Sequence, residues 1–303
     1  MTTGTARTES RKSLRRGMPY LWVLPSIIVL AGLILYPLLF SLTNSFRMWN
    51  LATSPAPLGF VGLGNYRQVF DTTPFADALR NTLLLATLGT FIEFWFGVGI
   101  ALLLYSHVRG SSVVRALLIM PVTIAPIVAG FLFRYMYYER GGLISWLLTT
   151  LHFPVPAQGL LGSASTALAA VALADIWQWT PFFAIVLYAG LLSIPEEIIE
   201  AAIVDGAQSV RLFFWIILPS IARTAVIVIM IRFMQLFNMF DLVLVLTHGG
   251  PGTASRTLSY NLYQAGLVDY NIGVAAAMTW LVVIIVTILI NLYGRVAFRG
   301  WEW

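Results

Sequence analysis

Residues 193–219 read SIPEEIIEAAIVDGAQSVRLFFWIILP and form the longest polar interruption in the apolar second half of the chain. Pro195 suits the first turn of a helix, where its missing N–H costs nothing, and Ser193 precedes it as a candidate cap. The two glutamates that follow lie where the helix dipole favours anions. Gly206 can adopt the left-handed conformation that ends a helix. The segment predicts a short helix, a sharp turn and a second helix along a membrane surface.

The composition makes the lipid bilayer the expected solvent of this chain. Of its 303 residues, 59% are hydrophobic and 10% are charged, and the mean hydropathy is +0.83. Soluble domains carry about 25% charged residues, and a soluble fold of this length could not bury so much apolar surface. Cysteine is absent, which excludes disulfides and cysteine-metal sites.

Six segments are apolar over the length of about 20 residues that a membrane-spanning helix needs. They cover roughly residues 20–45, 79–105, 113–137, 165–191, 221–246 and 272–296. A cleaved signal peptide is the alternative for the first segment. However, no charge intervenes from Gly17 to Phe46, and no small-residue cleavage site closes a short apolar core. We therefore expect an all-α membrane protein with six transmembrane helices.

The distribution of basic residues predicts which side of the membrane each loop faces. With the N-terminus in the cytoplasm, eleven basic residues lie inside, six lie outside and Arg232 lies within a span, which accounts for all 18. Both termini and the loop 193–219 are therefore expected in the cytoplasm. The chain divides into a basic cytoplasmic tail (1–17), a first helix with its extracytoplasmic loop (18–78) and a five-helix core (79–303).

The spacing within the cytoplasmic loop resembles a known motif. Glu200-Ala201-Ala202, three residues, Gly206, nine residues and Ile216-x-Leu218-Pro219 match the EAA loop of permease subunits in bacterial binding-protein-dependent ABC importers. Further patterns are similar to the sugar-permease branch of that family, typified by the maltose and glycerol-phosphate systems. These are Gly62-Leu63-x-Asn65-Tyr66, Asn81-Thr82-Leu83, Ile194-Pro195-Glu196-Glu197, Asp205-Gly206-Ala207, Phe240-Asp241 and Gly249-Gly250-Pro251.

The resemblance, which runs from about residue 20 to the end, implies the type I ABC importer permease fold and a place in the bacterial cell membrane. It also implies four kinds of partner: a second permease subunit, ABC ATPase subunits, an extracytoplasmic sugar-binding protein and a sugar. The expected sugar is a disaccharide such as trehalose or a maltose-like sugar. Without the resemblance, an interfacial amphipathic hairpin that has no partner explains the loop equally well.

By motif position, the resemblance implies that loop 193–219 forms coupling helices docked on the ATPase. Glu200 would face basic groups, Ala201 and Ala202 would allow close approach, and Gly206 would make the turn. Asp205 would cap the helix or pair locally. The remaining residues of the expected coupling set are Arg211, Leu218 and Pro219. The Gly249-Gly250-Pro251 segment is similar to one near the external gate and binding protein, although a plain turn also explains it.

The chain itself is expected to be non-catalytic. It contains no G-x-x-x-x-G-K-[ST] motif, and its sole lysine is Lys12. ATP and Mg²⁺ are therefore expected on partner ATPase subunits. The three histidines, His107, His152 and His248, are scattered over three loops, which argues against a metal cluster.

Four charged residues lie within the predicted spans: Glu93, Asp175, Arg232 and Asp241. Charges at membrane depth usually face a bundle interior or an aqueous cavity. One explanation is internal pairing of Arg232 with Glu93 or Asp175. The alternative function, an ion-coupled secondary transporter, would use the carboxylates as proton or sodium sites. A membrane enzyme acting on lipid would need a convergent nucleophile or metal set, which the sequence does not show.

Polar residues recur every three positions in the fifth span, from Arg232 through Gln235 and Asn238 to Asp241. At 3.6 residues per turn the first and last lie on opposite faces of a regular helix. The helix is therefore irregular or has a broad polar face, and either suits a helix that lines a water-filled path. Because sugars need hydrogen-bond partners and aromatic faces, we expect the path to be formed by Gln178, Gln235, Asn238 and Asp241, with Trp177 or Trp179 as a stacking surface.

Overall fold

The computed structural model describes residues 6–106, 111–139 and 141–297. The first five residues of the predicted basic tail lie outside the described residues. So do residues 298–303 at the end of the predicted core.

The described residues form sixteen α-helices with three π-helical turns between them. The α-helices are α1 (Ala6–Ser45), α2 (Gly64–Thr72), α3 (Phe75–Leu84), α4 (Thr90–Tyr105), α5 (Ser111–Thr123), α6 (Pro126–Met136), α7 (Leu143–Thr150), α8 (Gly159–Gly162), α9 (Ala167–Leu192), α10 (Glu196–Val204), α11 (Ser209–Leu212), α12 (Leu218–Ser220), α13 (Ala222–Phe237), α14 (Asp241–Leu246), α15 (Leu258–Tyr263) and α16 (Ile272–Ala297). The π-helical turns are Leu85–Gly89, Phe213–Ile217 and Gln264–Val268.

The predicted all-α membrane fold is confirmed. Four segments are long and apolar enough to cross a membrane as they stand: Val23–Ser45, Phe75–Tyr105, Ala167–Leu192 and Ile272–Ala297. Two further pairs of helices pass the same test as bent units, which gives up to six spans among the described residues. The first helix begins at Ala6, within the predicted tail, and continues unbroken through the predicted first span.

The third predicted span, 113–137, is two helices that meet at an angle of 97° immediately before Pro126. Ala125 has φ −58° and ψ 135°, the extended conformation that a following proline imposes. The carbonyl of Ile124 accepts a hydrogen bond from Nε2 of Gln178 at 2.7 Å. The bend therefore fixes this part of the chain to α9 through a polar side chain.

The fifth predicted span, 221–246, is not one helix. Its first part, α13, has sixteen residues and is about 24 Å long at 1.5 Å per residue, and a second helix starts at Asp241 after a short break. Hydroxyl groups of the following loop satisfy carbonyls at the break. Ser259 donates to the carbonyl of Phe237 at 2.8 Å and Thr257 to that of Met239 at 2.9 Å. Such internal partners are what allow non-helical backbone at membrane depth.

Two asparagines of the sequence motifs join segments that lie between the helices to the bundle. The Nδ2 group of Asn65 donates to the carbonyls of Ser45 and Arg47, both at 2.8 Å. The corresponding group of Asn81 donates to the carbonyls of Thr253 and Arg256, at 2.9 and 3.0 Å. Asn65, near the start of α2, is thus tied to the end of α1, and Asn81, in the second half of α3, to a loop that is distant in the sequence.

The closest helix packing in the core joins α4 to α9 at Gly97. A Cβ atom at Gly97 would collide with Cβ of Phe183 and lie 3.1 Å from the backbone nitrogen of Ala184. Small residues of this kind let helix backbones approach in membranes. The contact positions Glu93, one turn earlier on α4, against the middle of α9.

We expect Gly97→Leu to lower the apparent melting temperature of the purified protein in detergent. The added side chain meets backbone atoms that cannot rotate away, and overpacking of this kind costs about 1–3 kcal/mol. Gly99→Leu is the matched control, since nothing lies within 4 Å of a Cβ added at Gly99. Equal melting temperatures for the two variants would contradict the packing role of Gly97.

Candidate functional site

A polar cavity of about 250 Å³ lies between α9, the start of α6 and the broken helix α13–α14. Its lining consists of Pro126, Asp175, Gln178, Trp179, Arg232, Gln235, Asn238, Met239, Phe240, Asp241 and Leu242. Gln178 is the twelfth residue of the 26-residue helix α9, about 17 Å from its start in a helix about 39 Å long. The cavity is therefore at the middle of a membrane-spanning helix.

Five of the six predicted path residues line this one cavity: Gln178, Trp179, Gln235, Asn238 and Asp241. The break after Phe237 brings the last three together, because a regular helix would have turned Asp241 away. The alternative of an irregular helix in the fifth span is thus confirmed.

The two glutamines present acceptor atoms that have no partner. Among the described residues, the buried Oε1 atoms of Gln178 and Gln235 accept no hydrogen bond. Gln178 is fully buried, and its amide nitrogen is already engaged with the third span. A buried carbonyl oxygen without a partner costs about 1–3 kcal/mol, so both atoms favour a ligand that supplies hydroxyl groups.

Trp177 does not line the cavity, and its assignment to the path is corrected. Its side chain is 40% exposed, its ring packs edge-on against Phe133 at 5.3 Å, and it borders two apolar hollows on the outer surface of the bundle. Two residues later, Trp179 faces the cavity. Of the two predicted tryptophans, Trp179 is therefore the one that offers an aromatic surface there, in addition to Phe240.

A buried cluster of charges forms one wall of the cavity. Nε and Nη2 of Arg232 donate to Oε2 and Oε1 of Glu93 at 2.9 and 3.0 Å, and Nη2 also donates to Oδ2 of Asp175. The ring centroid of Trp179 lies 4.8 Å from Cζ of Arg232, as a cation–π contact. The prediction of internal pairing is confirmed, and Arg232 pairs with both carboxylates.

Sequence reasoning missed several residues of the cavity wall. Pro126, Met239, Phe240 and Leu242 are apolar members of an apolar chain, so composition does not distinguish them. The proline that follows the break in the third span and the Phe240-Asp241 pair were the available signals. Among the described residues, no group of three or more histidine or acidic side chains is arranged to hold a metal ion.

The loop 193–219 forms the predicted helical hairpin. Helix α10 ends before Asp205, Gly206 takes φ +84°, and α11, a π-helical turn and α12 follow. The prediction that Ser193 caps α10 is wrong. Ser193 is the C-cap residue of α9, where its hydroxyl donates to the carbonyl of Gly190 at 2.7 Å. Pro195 is the N-cap residue of α10.

The hairpin has an inner and an outer face. Ala202 is 7% exposed and Leu218 packs on an apolar cluster of the same chain, so these two residues face inward. On the outer face lie Glu200, Ala201, Asp205, Gly206, Arg211 and Pro219. Ala202 is therefore not available for the expected close approach of a partner. The side chain of Asp205 makes neither a hydrogen bond nor an ion pair with any described residue, so of its two expected roles the structure shows the cap, since Asp205 holds the C-cap position of α10, and not the local pairing.

Large apolar side chains are exposed on the same outer face. Val204 is 86% exposed and Trp215 is 77% exposed. A hollow of about 520 Å³ is lined by Gly206, Gln208, Val210, Arg211, Phe214 and Trp215. An exposed apolar centre with charged residues around it is typical of a protein interface.

The Gly249-Gly250-Pro251 segment is a tightly packed turn. Gly249 takes φ +76°, and a Cβ there would lie 2.8 Å from Cε1 of Tyr260. Ser255 donates to the carbonyl of Gly250 at 2.7 Å, and the Gly250–Pro251 peptide bond is cis. Burial raises the pKa of Tyr260, while the nearby Arg256 guanidinium opposes that rise. The turn is thus defined by its packing. Its expected place near an external gate stays a prediction.

The fold and the membrane-depth cavity define a membrane transport protein. The chain belongs to the family of binding-protein-dependent transport system inner membrane components, whose model matches residues 93–299. Proteins of this kind are non-catalytic subunits of transport systems.

Two curated relatives and one solved structure show the extent of the similarity. The trehalose/maltose transport system permease protein MalF of Thermococcus litoralis is 31% identical, covering 95% of this chain and 97% of the relative. The trehalose transport system permease protein SugA of Mycobacterium tuberculosis is 32% identical, covering 97% and 94%. A chain from the crystal structure of a bacterial ABC transporter involved in the import of the acidic polysaccharide alginate has a TM-score of 0.81 at 20% identity, covering 97% of this chain and 100% of that chain. This last similarity confirms the predicted permease fold.

We expect Arg232→Met to destabilise the protein strongly, because it leaves Glu93 and Asp175 buried without a counter-charge. Removing one partner of a buried ion pair costs about 3–5 kcal/mol. The triple variant Arg232→Met, Glu93→Gln, Asp175→Asn removes every charge of the cluster and should recover much of the loss. Melting temperature and folded yield in detergent measure the difference. A triple variant as unstable as the single one would contradict this account of the cluster.

Proposed function

We propose that this chain is a transmembrane permease subunit of an ATP-driven sugar importer in the bacterial cell membrane. Its substrate is a neutral disaccharide such as trehalose or a maltose-like sugar, which it receives from an extracytoplasmic solute-binding protein and passes to the cytoplasm. The names of the relatives from Thermococcus litoralis and Mycobacterium tuberculosis support this substrate class.

The cavity on α9 and α13 is the observation that carries the proposal. Its wall offers two unpaired glutamine oxygens, the amide of Asn238, a carboxylate and the ring of Trp179. Hydroxyl groups of a sugar suit the polar atoms, and the apolar C–H face of a sugar ring suits the indole. The volume of about 250 Å³ lies just under the range of about 300–1,000 Å³ that encloses drug-sized ligands. In this conformation the cavity would hold part of a disaccharide.

The energy source in this proposal is a cytoplasmic ATPase partner that binds ATP and Mg²⁺. This partner also binds the hairpin 193–219. The exposed apolar residues Val204 and Trp215, with Glu200 and Arg211 beside them, support such a docking surface. Both termini lie in the cytoplasm in this arrangement, and a second permease subunit completes the membrane part of the complex.

The ion-coupled alternative has less support. It needs carboxylates that can exchange a proton or a sodium ion, but Glu93 and Asp175 are both engaged by Arg232, which leaves Asp241 as the one candidate carboxylate without such a partner among the described residues. Membership of a binding-protein-dependent family also favours a transporter that works with separate protein partners.

The proposal is tested by reconstitution in lipid vesicles. The chain is purified with its partner permease, ATPase and binding protein, and uptake of labelled trehalose and maltose is followed with and without ATP. We expect ATP-dependent accumulation of at least one sugar by the complete system and none by this chain alone. Uphill transport by the isolated chain would overturn the proposal, as would a complete system that moves neither sugar.

We expect Glu200→Ala to lower ATP-driven uptake at least about tenfold at equal membrane levels. Truncating one partner of a charge pair at a protein interface costs about 2–5 kcal/mol, and about 1.4 kcal/mol is a factor of ten. Glu197→Ala, on the same helix but outside the matched EAA spacing, is the control. The coupling role of Glu200 is rejected if both variants transport at the wild-type rate.

A further inference from the structure

The side chains around the cavity carry more negative than positive groups. Asp175 and Asp241 lie in its wall together with Arg232, and Glu93 lies directly behind the guanidinium group. Three carboxylates therefore face one cation. If one of the two carboxylates on Arg232 carries a proton, the remaining two still outnumber the single guanidinium.

The positive charge of Arg232 is already directed at its own carboxylates. Its Nε and Nη2 groups donate to Glu93 and Asp175, and Trp179 lies against the guanidinium. Its side chain is only 3% exposed. A negatively charged ligand in the cavity would therefore compete with two fixed carboxylates for this cation.

Asp241 differs from the other two carboxylates because no basic side chain of the described residues forms an ion pair with it. Among the described residues it takes part in no ion pair and no side-chain hydrogen bond, and it is only partly buried. It follows the break in the fifth span, on the same wall as the unpaired oxygens of Gln178 and Gln235. All three residues line the cavity, and each carries a side-chain oxygen that can accept a hydrogen bond.

We infer that Asp241 is a specificity-determining residue that excludes anionic sugars from the path. An uncompensated carboxylate in a site of reduced dielectric repels a second negative charge strongly and attracts a positive one. Discrimination by a repulsive group is a general way to reject a wrong ligand. Neutral sugars and amino sugars can therefore bind in the cavity, whereas sugars with a carboxylate or phosphate group are repelled. The inference rests on the proposed function, since it assumes that sugars occupy the cavity.

The test uses three probes of nearly equal size: trehalose, its derivative with one C6 carbon oxidised to a carboxylate, and 6-amino-6-deoxytrehalose. Equilibrium binding of each is measured on the assembled transporter in lipid nanodiscs without its binding protein, so that the binding protein cannot impose its own selectivity. The same series built on maltose is used if the wild type binds maltose more tightly.

We expect the wild type to bind the cationic probe at least as well as trehalose and the anionic probe at least about tenfold more weakly. Asp241→Asn should strengthen binding of the anionic probe and weaken that of the cationic probe, changing their ratio by about tenfold or more. Opposite changes for two probes cannot arise from general misfolding. Asp241→Glu should keep the wild-type order. Asp71→Asn, which removes an exposed carboxylate on α2, should leave the ratio unchanged.

A ratio of anionic to cationic affinity that stays the same in Asp241→Asn would overturn the inference, and so would equal binding of all three probes by the wild type. If Asp241→Asn binds none of the probes, the Asn238→Asp variant is used as the test of the inference. A further carboxylate on the same wall must lower the ratio of anionic to cationic probe affinity below that of the wild type. A wild-type complex that binds neither trehalose nor maltose overturns the proposed function, and this inference with it.

Discussion

The position of Arg232 between Glu93 and Asp175 is the interaction on which the cavity depends. A guanidinium at membrane depth is costly unless it is paired, and the carboxylates that pair with it come from two other helices, α4 and α9. Buried ion pairs contribute little net stability. The pairing therefore serves chiefly to hold three helices in one arrangement, with Gln178, Trp179 and Gln235 on the side that faces the cavity.

The break in the fifth span is the second requirement. Without it, Asp241 would lie about 120° around the helix from Gln235, and the cavity would lose the carboxylate of its wall that Arg232 does not engage. The break is tolerated because Ser259 and Thr257 donate to the carbonyls that it leaves without helical partners. The loop that supplies these hydroxyls is itself held by Asn81, so an outer-loop motif supports the shape of a site within the membrane.

Hydropathy alone predicted six spans, a number that the described helices allow when each bent pair counts as one span, because about 20 apolar residues have no other stable place in a protein of this composition. The three-residue spacing of polar side chains predicted that the fifth span is irregular or has a broad polar face, and the structure shows the irregular helix. It was harder to predict which side chains of a helix face the cavity or the protein core. Trp177 and Trp179 are about 200° apart on α9. Trp179 follows Asp175 by four residues and therefore lies on the same face as that carboxylate, which was the signal available to separate the two tryptophans. The adjacent alanines of the EAA triplet are alike and gave no sign that Ala202 packs inward.

The two helices that carry the cavity are also the two that flank the hairpin. From Gln178, α9 continues about 21 Å to its end at Leu192, just before the hairpin begins. Helix α13, which holds Arg232 and Gln235, starts just after it. Ile194, Ile217 and Ile221, at the junctions, share one apolar cluster with Leu187 of α9 and Ala225 of α13. A partner that displaced the hairpin would therefore move both walls of the cavity, since packed helices transmit displacement instead of absorbing it.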